Sequence, residues 1–449
     1  MMKSSWLLRF FILVFFSISL AEQSGRDRDL TFTFRDSNRS HFHYTHLRLS
    51  SPILFSGALC FIAASISSAG GIGGGGLFIP ILTIVARLDL KTASSFSAFM
   101  VTGGSVANVI CNYLFVKSPK FGAKCLIDYD ITLLSEPTML LGVSVGVICN
   151  RVFPEWLITG LFAVFLAWCT FKTCRNGINC WTFESEEAKL VEDYENWEAR
   201  DGDEQIGIAK VPLIVSENNC QVGFPWMKLG ILVLVWFSFF TVYLLQGNRT
   251  GQSIGFIQPC GPGYWIISSL QIPLAMAFTA WILLRKESPQ YEDLVQQETS
   301  RLSIAGSPNK LLFPIMALSA GVLGGVFGIG GGMMISPLLL HVGIAPEVTA
   351  ATCSFMVFFS STMSALQYLL LGMDQTEIAL IFSFICFCGS VIGIVVVQRA
   401  IQEFGRASLI VFSVSTVMAL STVLMTGFGA INLWNDYVSG VYMGFKSLC

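Results

Sequence analysis

Charge is what this chain has least of. Asp, Glu, Lys and Arg make up 12% of its 449 residues, against about 25% in an ordinary globular protein. Polar groups this sparse cannot cover the several water-soluble domains that the length alone would suggest. Hydrophobic residues reach 53%, with 37 Phe, and the mean hydropathy is +0.65, so lipid must be the main solvent. A net charge of −2 leaves neither a polybasic face for nucleic acid nor a polyacidic one. Metal-ligand spacing is missing as well. The 13 Cys are an odd number, scattered through apolar stretches as Cys60, Cys111, Cys149, Cys386 and Cys388 are, where a free thiol acts as a small hydrophobe. None falls in a zinc pattern. Also absent are H-E-x-x-H, G-x-S-x-G and any pair of acids inside an apolar run. Nothing calls for a cofactor, a metal or an enzymatic reaction. What stands in excess is Gly, at 41 residues, heavily clustered.

Residues 1–21 place Lys3 and Arg9 ahead of a short apolar run and the small-residue pattern Ser19-Leu20-Ala21, which reads as a signal peptide or a retained signal anchor. A polar tail follows over 22–50, expected on the lumenal side, with the sequon Asn38-Arg39-Ser40. Apolar runs fit to span a bilayer lie near 92–116, 131–149, 156–171, 229–245, 264–284, 349–371, 378–397 and 409–427. Two more stretches, 53–86 and 311–342, are each interrupted by glycines. The fold class is therefore an all-α polytopic membrane protein of two homologous halves. The expected order is a first membrane repeat (51–171), an acidic loop (172–227) holding Glu184-Ser185-Glu186-Glu187, two linking helices (228–284), a polar loop (285–310), a second repeat (311–427) and a C-terminal tail (428–449). The signal-like start implies the secretory pathway or the plasma membrane.

The duplication rests on the glycines. Gly71-Ile72-Gly73-Gly74-Gly75 recurs as Gly328-Ile329-Gly330-Gly331-Gly332, and without a gap Pro80 then matches Pro337, Thr92-Ala93 matches Thr349-Ala350, and Ser97 matches Ser354. Farther on, Gly142/Gly146 matches Gly389/Gly393, a close-packing small-xxx-small pattern in both. Matching interruptions in two halves point to a transporter's binding site. Gly permits the backbone angles a break needs. The helices restarting near Leu77 and Met333 would aim unpaired amides and the positive end of their dipoles into it. Gly73, Gly74, Gly75 and Gly76, with Gly330, Gly331 and Gly332, are thus candidate ligands of a small anion. Hydroxyls follow at Ser95 and Ser97 and at Thr352 and Ser354, able to donate to an oxyanion or simply to join helices; Ser65, Ser67 and Ser68 precede the first break. The run 71–76 also fits G-x-G-x-x-G, but no strand or soluble βαβ unit surrounds it and the second copy ends in Met333, so it is no dinucleotide fingerprint. One acid falls inside a span, Glu136 before Pro137, and an intramembrane carboxylate is a candidate for a coupling proton.

Topology turns on the breaks. If both broken stretches crossed fully behind a lumenal tail, Lys117, Lys120, Lys124, Lys172, Arg175, Lys228, Arg285, Lys286, Arg301 and Lys310 would lie outside, against the positive-inside rule. If each is a re-entrant hairpin, all of these become cytosolic together with Arg399 and Arg406. Arg48, Arg87, Lys91, Arg151, Arg249 and Lys446 then stay outside. An odd number of crossings would separate the copies and invert one relative to the other. A cytosolic tail would instead allow full spans and parallel repeats. Glycosylation at Asn38 separates the two cases.

Taken together, the two Gly-Ile-Gly-Gly-Gly runs with Pro80 and Pro337, the Thr-Ala-x-x-x-Ser stretches 92–97 and 349–354, and the pairs Gly142/Gly146 and Gly389/Gly393 resemble the TauE/SafE sulfite-exporter family. The likeness covers about 51–171 and 311–427, and the acidic insert and signal-like start are similar to its plant branch. The resemblance implies export of sulfite or organosulfonates. Gly76 against Met333 departs from strict repetition, which implies an asymmetric site. An anion channel, or a scaffold acting through the acidic loop, are the alternatives. Expected partners are the small anion and the bilayer, with no nucleic acid, and a homo-oligomer is left open.

Overall fold

The computed structural model describes residues 51–68, 71, 74–114, 127–198, 226–246, 262–284, 312–341, 344, 346–373, 375–404, 408–438 and 444. The signal segment and polar tail, the loop 285–310, Gly73 and the acidic stretch after Glu198 lie outside the described residues. With no water in a bilayer core, the backbone must satisfy its own polar groups, and apolar runs become helices. The described residues accordingly form helices and short turns, with no strand among them.

Around the first glycine run stand α1 (Ser51–Ser67) and α2 (Gly75–Ile84), followed by α3 (Leu90–Leu114), α4 (Tyr129–Val152) and α5 (Glu155–Glu198). Two linking helices come next, α6 (Trp226–Gln246) and α7 (Pro262–Leu284). The second copy repeats the plan as α8 (Leu312–Phe327), α9 (Gly332–His341), α10 (Pro346–Leu370), α11 (Thr376–Phe404) and α12 (Ser408–Val438). Among the described residues, eight helices are long and apolar enough to cross a membrane, namely α3 to α7 and α10 to α12.

Two of the helices run past the boundaries expected from apolarity. At 44 residues, α5 is about 66 Å long, twice the roughly 30 Å of hydrocarbon. The acidic stretch from Lys172 to Glu198 is thus helix rather than loop, helped by opposite charges one turn apart at Glu186 and Lys189. Likewise α12 reaches Val438, so the C-terminal tail begins as helix.

Side-chain ties fix which helix ends lie together. At one end, called near here, Lys91 Nζ donates to Arg151 O (2.6 Å) and Arg151 Nη1 to Leu371 O (2.8 Å). At the other, far end, Asp128 N donates to Thr352 Oγ1 (3.0 Å), and Lys228 pairs with Asp130 (2.6 Å). There too Glu184 of α5 accepts both Ser408 N (2.9 Å) and Ser408 Oγ (2.5 Å) at the start of α12. Hence α3 runs from near to far, α4 back, and the spanning helices alternate.

Neither broken stretch crosses the bundle as one rod. Gly142 and Gly146 of α4 lie against Leu318 O and Val322 O, so α8 runs parallel to α4, from far to near. After the break α9 returns, with Leu338 and Leu339 clustering with Ile131, Leu134 and Phe313 at the far end. In the same way Gly389 and Gly393 of α11 lie against Phe61 O and Ser65 O, so α1 runs from near to far. Ile79 of α2 comes back to pack with Leu90 and Ile158 at the near end. The two stretches are hairpins entering from opposite ends. Between them lie α3 to α7, an odd number of crossings.

Contacts between the copies come in reciprocal pairs: α4 with α8 and α1 with α11, α3 with α11 and α4 with α10, α2 with α12 and α5 with α9, while α3 packs on α10 and α5 on α12. This is the signature of a pseudo-two-fold axis. α3 and α10 form its centre, each with 89% of its spanning window buried, against 17% for α7.

Candidate functional site

Each return helix, α2 and α9, has 10 residues, about 15 Å or half the hydrocarbon thickness. Both therefore begin deep in the bundle. Gly74 precedes α2 at φ 80° and its counterpart Gly331 precedes α9 at φ 70°, a left-handed conformation that makes the reversal and that a side chain disfavours. The first N–H groups of each return helix lack intrahelical acceptors and sit at the positive end of its dipole.

Between these starts the two breaks meet. A Cβ placed on Gly75 would lie 2.8 Å from Ile329 Cα, one on Gly76 would strike Met333 Cε, and one on Gly332 would stand 3.6 Å from Gly71 O. Each break also touches the central helix of the other copy, Gly71 against Ala350 O and Gly328 against Ser94 O. Gly74, Gly75, Gly76, Gly330, Gly331 and Gly332 are therefore gathered in one place. In this conformation the space of their missing side chains is taken by neighbouring groups, among them Phe78, Ile329, Met333 and Val357.

Polar side chains tie down each tip. At the first, Ser68 Oγ donates to Asn108 Oδ1 (2.7 Å) and Ser390 O (3.0 Å). Asn108 Nδ2 in turn donates to Ser68 O and Ser354 Oγ (both 3.2 Å). At the second, Asn150 Nδ2 and Tyr368 OH donate to the last carbonyls of α8, Val326 O (2.6 Å) and Gly325 O (2.7 Å), and Ser360 Oγ donates to Gly330 O (2.7 Å). Ser421 Oγ donates to Gly76 O at the start of α2.

The hydroxyls singled out from the sequence are dispersed. Ser354 joins the first tip's network. Ser97, its counterpart on α3, is buried with no hydrogen-bond partner. Ser95 Oγ donates within its own helix to Lys91 O (3.0 Å) and Thr352 Oγ1 accepts Asp128 N, so both hydroxyls are engaged with backbone, although the carbonyls of nearby Ser94 and Ala350 touch the breaks. Asn108, Ser360, Tyr368, Asn150 and Ser390 escaped the sequence reading; a single amide or phenol inside an apolar run was the available signal.

Glu136 is fully buried, and neither carboxyl oxygen has a hydrogen-bond partner. It lies about one turn before Met139, whose Sδ is 3.5 Å from where Gly331 would carry a Cβ. The two-fold that matches Gly142 to Gly389 matches Glu136 to Ser383. Ser383 Oγ donates to Phe99 O (2.7 Å), and its carbonyl lies against Gly103. The corresponding positions on α10 are Met356 and Ser360. Through Met139, Glu136 stands about one turn from the second break. A buried carboxyl without a partner is costly when ionised. Among the described residues, no three His, Cys, Asp or Glu side chains are grouped to hold a metal ion.

Known proteins share this outline. The family model described as "Sulfite exporter TauE/SafE" matches residues 2–173 and 226–430, which takes in both repeats and the linking helices. Three relatives from Arabidopsis thaliana are similar along most of their length. Sulfite exporter TauE/SafE family protein 2 is 58% identical over 97% of each chain. Family protein 5 is 60% identical over 90% of this chain and 89% of its own. Family protein 3 is 30% identical over 96% and 92%. No solved structure matches the chain.

Proposed function

The chain belongs to the TauE/SafE sulfite-exporter family, and from that premise we propose that it is a secondary transporter exporting small anions, sulfite or organosulfonates. The observation that carries this reading is the meeting of two glycine-bounded helix starts from oppositely inserted hairpins. Such starts offer amide donors and positive dipole ends to an anion, and inverted hairpins allow the site to face either side in turn. The glycines gathered at the breaks would hold the anion once the hairpins part. Ser354, through the first tip's network, and the unpartnered Ser97 are the nearby hydroxyls; those of Ser95 and Thr352 are engaged with backbone.

Glu136 would carry the coupling proton, with Ser360 linking it to the second break. The excess of Lys and Arg toward the far helix ends, at Lys172, Arg175, Lys228 and Arg399, supports a cytosolic far end. The near end, with Arg87, Lys91 and Arg151, would face the lumen or the exterior, in a membrane of the secretory pathway or the cell surface.

The test is flux of labelled sulfite, sulfate and taurine in proteoliposomes, with and without a pH gradient. Accumulation of sulfite against its gradient is expected, and passive equilibration alone would make the protein a channel. Glu136→Gln should transport without response to the pH gradient; unchanged pH dependence would remove Glu136 from the coupling.

A further inference from the structure

Buried side-chain oxygens without a partner are spread unevenly through the bundle. Among the described residues they belong to Ser97, Glu136, Ser364 and Gln367, and to Thr279 and Gln375. The first four sit on α3, α4 and α10, the helices that touch the second break. Thr279 and Gln375 lie apart, on α7 and just before α11.

Helix geometry places the two serines. Val101 of α3 and Ser361 of α10 each come within 3.2 Å of where Gly330 would carry a Cβ. Because α3 runs toward the far end and α10 toward the near end, the turn before Val101 and the turn after Ser361 lie at one level. Ser97 and Ser364 occupy those turns. One turn beyond them, Ser94 O meets Gly328 and Tyr368 OH meets Gly325 O. Each serine is therefore flanked on both sides by contacts with the second break, and both are 0% exposed. The helix α9 runs on toward the far end, so its starting amides point back to this level.

The pseudo-two-fold supplies a control. The register of the glycine runs matches Ser97 to Ser354, Ala365 to Asn108 and Ser364 to Ala107. At the first break Ser354 Oγ donates to Ala350 O (2.9 Å) and accepts Asn108 Nδ2 (3.2 Å), so its hydroxyl is used in holding the tip. The second copy has Ala365 where that amide would stand, and it gains the hydroxyl of Ser364 one residue earlier. The same place has thus lost an internal partner and acquired a second donor. A buried hydroxyl without a partner is costly, and a ligand oxygen would remove that cost.

We propose that the anion is held at the second break alone, by Ser97 and Ser364 with the starting amides of α9, while the first break is a structural clamp. The inference rests on the transport reading above and adds which hairpin binds and through which side chains. Two neutral donors on facing helices suit a small oxyanion, one oxygen to each hydroxyl. The amides and the positive dipole end of α9 receive its charge. Glu136, about one turn from the same break, would place the coupling proton beside the anion.

Sulfite-dependent melting of the purified full-length protein tests this, with sulfite flux in proteoliposomes measured alongside. Sulfite should raise the melting temperature of the parent by mass action. Without sulfite, Ser97→Ala and Ser364→Ala should melt no lower than the parent, because neither loses a bond within the protein. Each should bind sulfite at least about tenfold more weakly, with a matching rise in KM for flux, since a hydrogen bond to a charged group is lost. Asn108→Ala should do the reverse, melting lower while keeping the parent's affinity. Parent affinity in either serine variant, a lower melting temperature for either without sulfite, or weakened binding in Asn108→Ala would overturn the assignment. Parent flux with unchanged KM in the serine variants leaves transport standing without this site. A parent that shows neither flux nor sulfite-dependent melting defeats both readings.

Discussion

The first hairpin and the second follow one backbone plan and differ in what furnishes it. α8 meets α4 through glycine on both helices, Gly321 and Gly325 against Gly142 and Gly146. α1 meets α11 with glycine on one side only, so that Ala64 Cβ comes within 3.2 Å of the place where Gly389 would carry a side chain. The first tip is closed by the side chains of Ser68, Asn108 and Ser354 together with the carbonyl of Ser390. The second is held by separate donors to its carbonyls and has beside it a carboxyl without a partner. Gly71 and Gly328, and the pairs Gly142/Gly146 and Gly389/Gly393, meet backbone in both copies; elsewhere the side chains diverge. Geometry is thus shared while chemistry is polarised, with an unpartnered carboxyl on α4 beside the second hairpin alone.

Breaking the shared plan should cost most. Gly328→Leu would force a left-handed backbone on a side chain and drive its Cβ into Ser94 O. A loss of at least about 3 kcal/mol is expected, read as collapse of the monodisperse peak in detergent chromatography. Gly71→Leu should do the same against Ala350 O, while Gly427→Leu, with open space around it, should behave as the parent. The tips should separate next. Asn108→Ala strips the hub of the first network and should lower stability by about 1–3 kcal/mol, whereas Tyr368→Phe removes one bond from the second and should cost about 1 kcal/mol; thermal melting of the purified protein compares them. The matched pair Glu136 and Ser383 should diverge in sign. Ser383→Ala loses a bond to Phe99 O and should melt slightly lower, while Glu136→Met removes an unpartnered carboxyl and should melt no lower than the parent. Smallest of all, Lys228→Ala breaks a pair whose side chains are 29% and 49% exposed and should change stability by less than about 1 kcal/mol.

Much of the architecture was legible in the chain. Composition identified the solvent, and the paired glycine runs revealed the duplication. Counting Lys and Arg favoured hairpins over full spans, and the contacts of α8 with α4 and of α1 with α11 have that form. Less of the site could be read. The glycines were found because a break is a local backbone event with a local signature. Ser95 and Thr352 were grouped with it because they follow the breaks in sequence; each lies within two residues of a carbonyl that touches the other copy's break, with its own hydroxyl engaged by backbone. Asn108 was overlooked because its partners Ser68 and Ser354 stand 40 and 246 residues away in the chain. The helical run from Lys172 to Glu198 was missed because apolarity marks where a helix meets lipid, not where it ends.

The sequence by itself settled the membrane as solvent, the helices as its only backbone solution, the repeat, and the two points where helix must fail. Those properties depend on residue type and on neighbours within a few turns. Tertiary structure alone decided that each broken helix turns back, that the two return helices start face to face, and that Glu136 stands without a partner. A glycine run frees the backbone to take any of several directions. Which one it takes is chosen by the surfaces that receive it, here Ala350 and Ser94 at the heart of the opposite copy, and those surfaces exist only once the two halves have packed together.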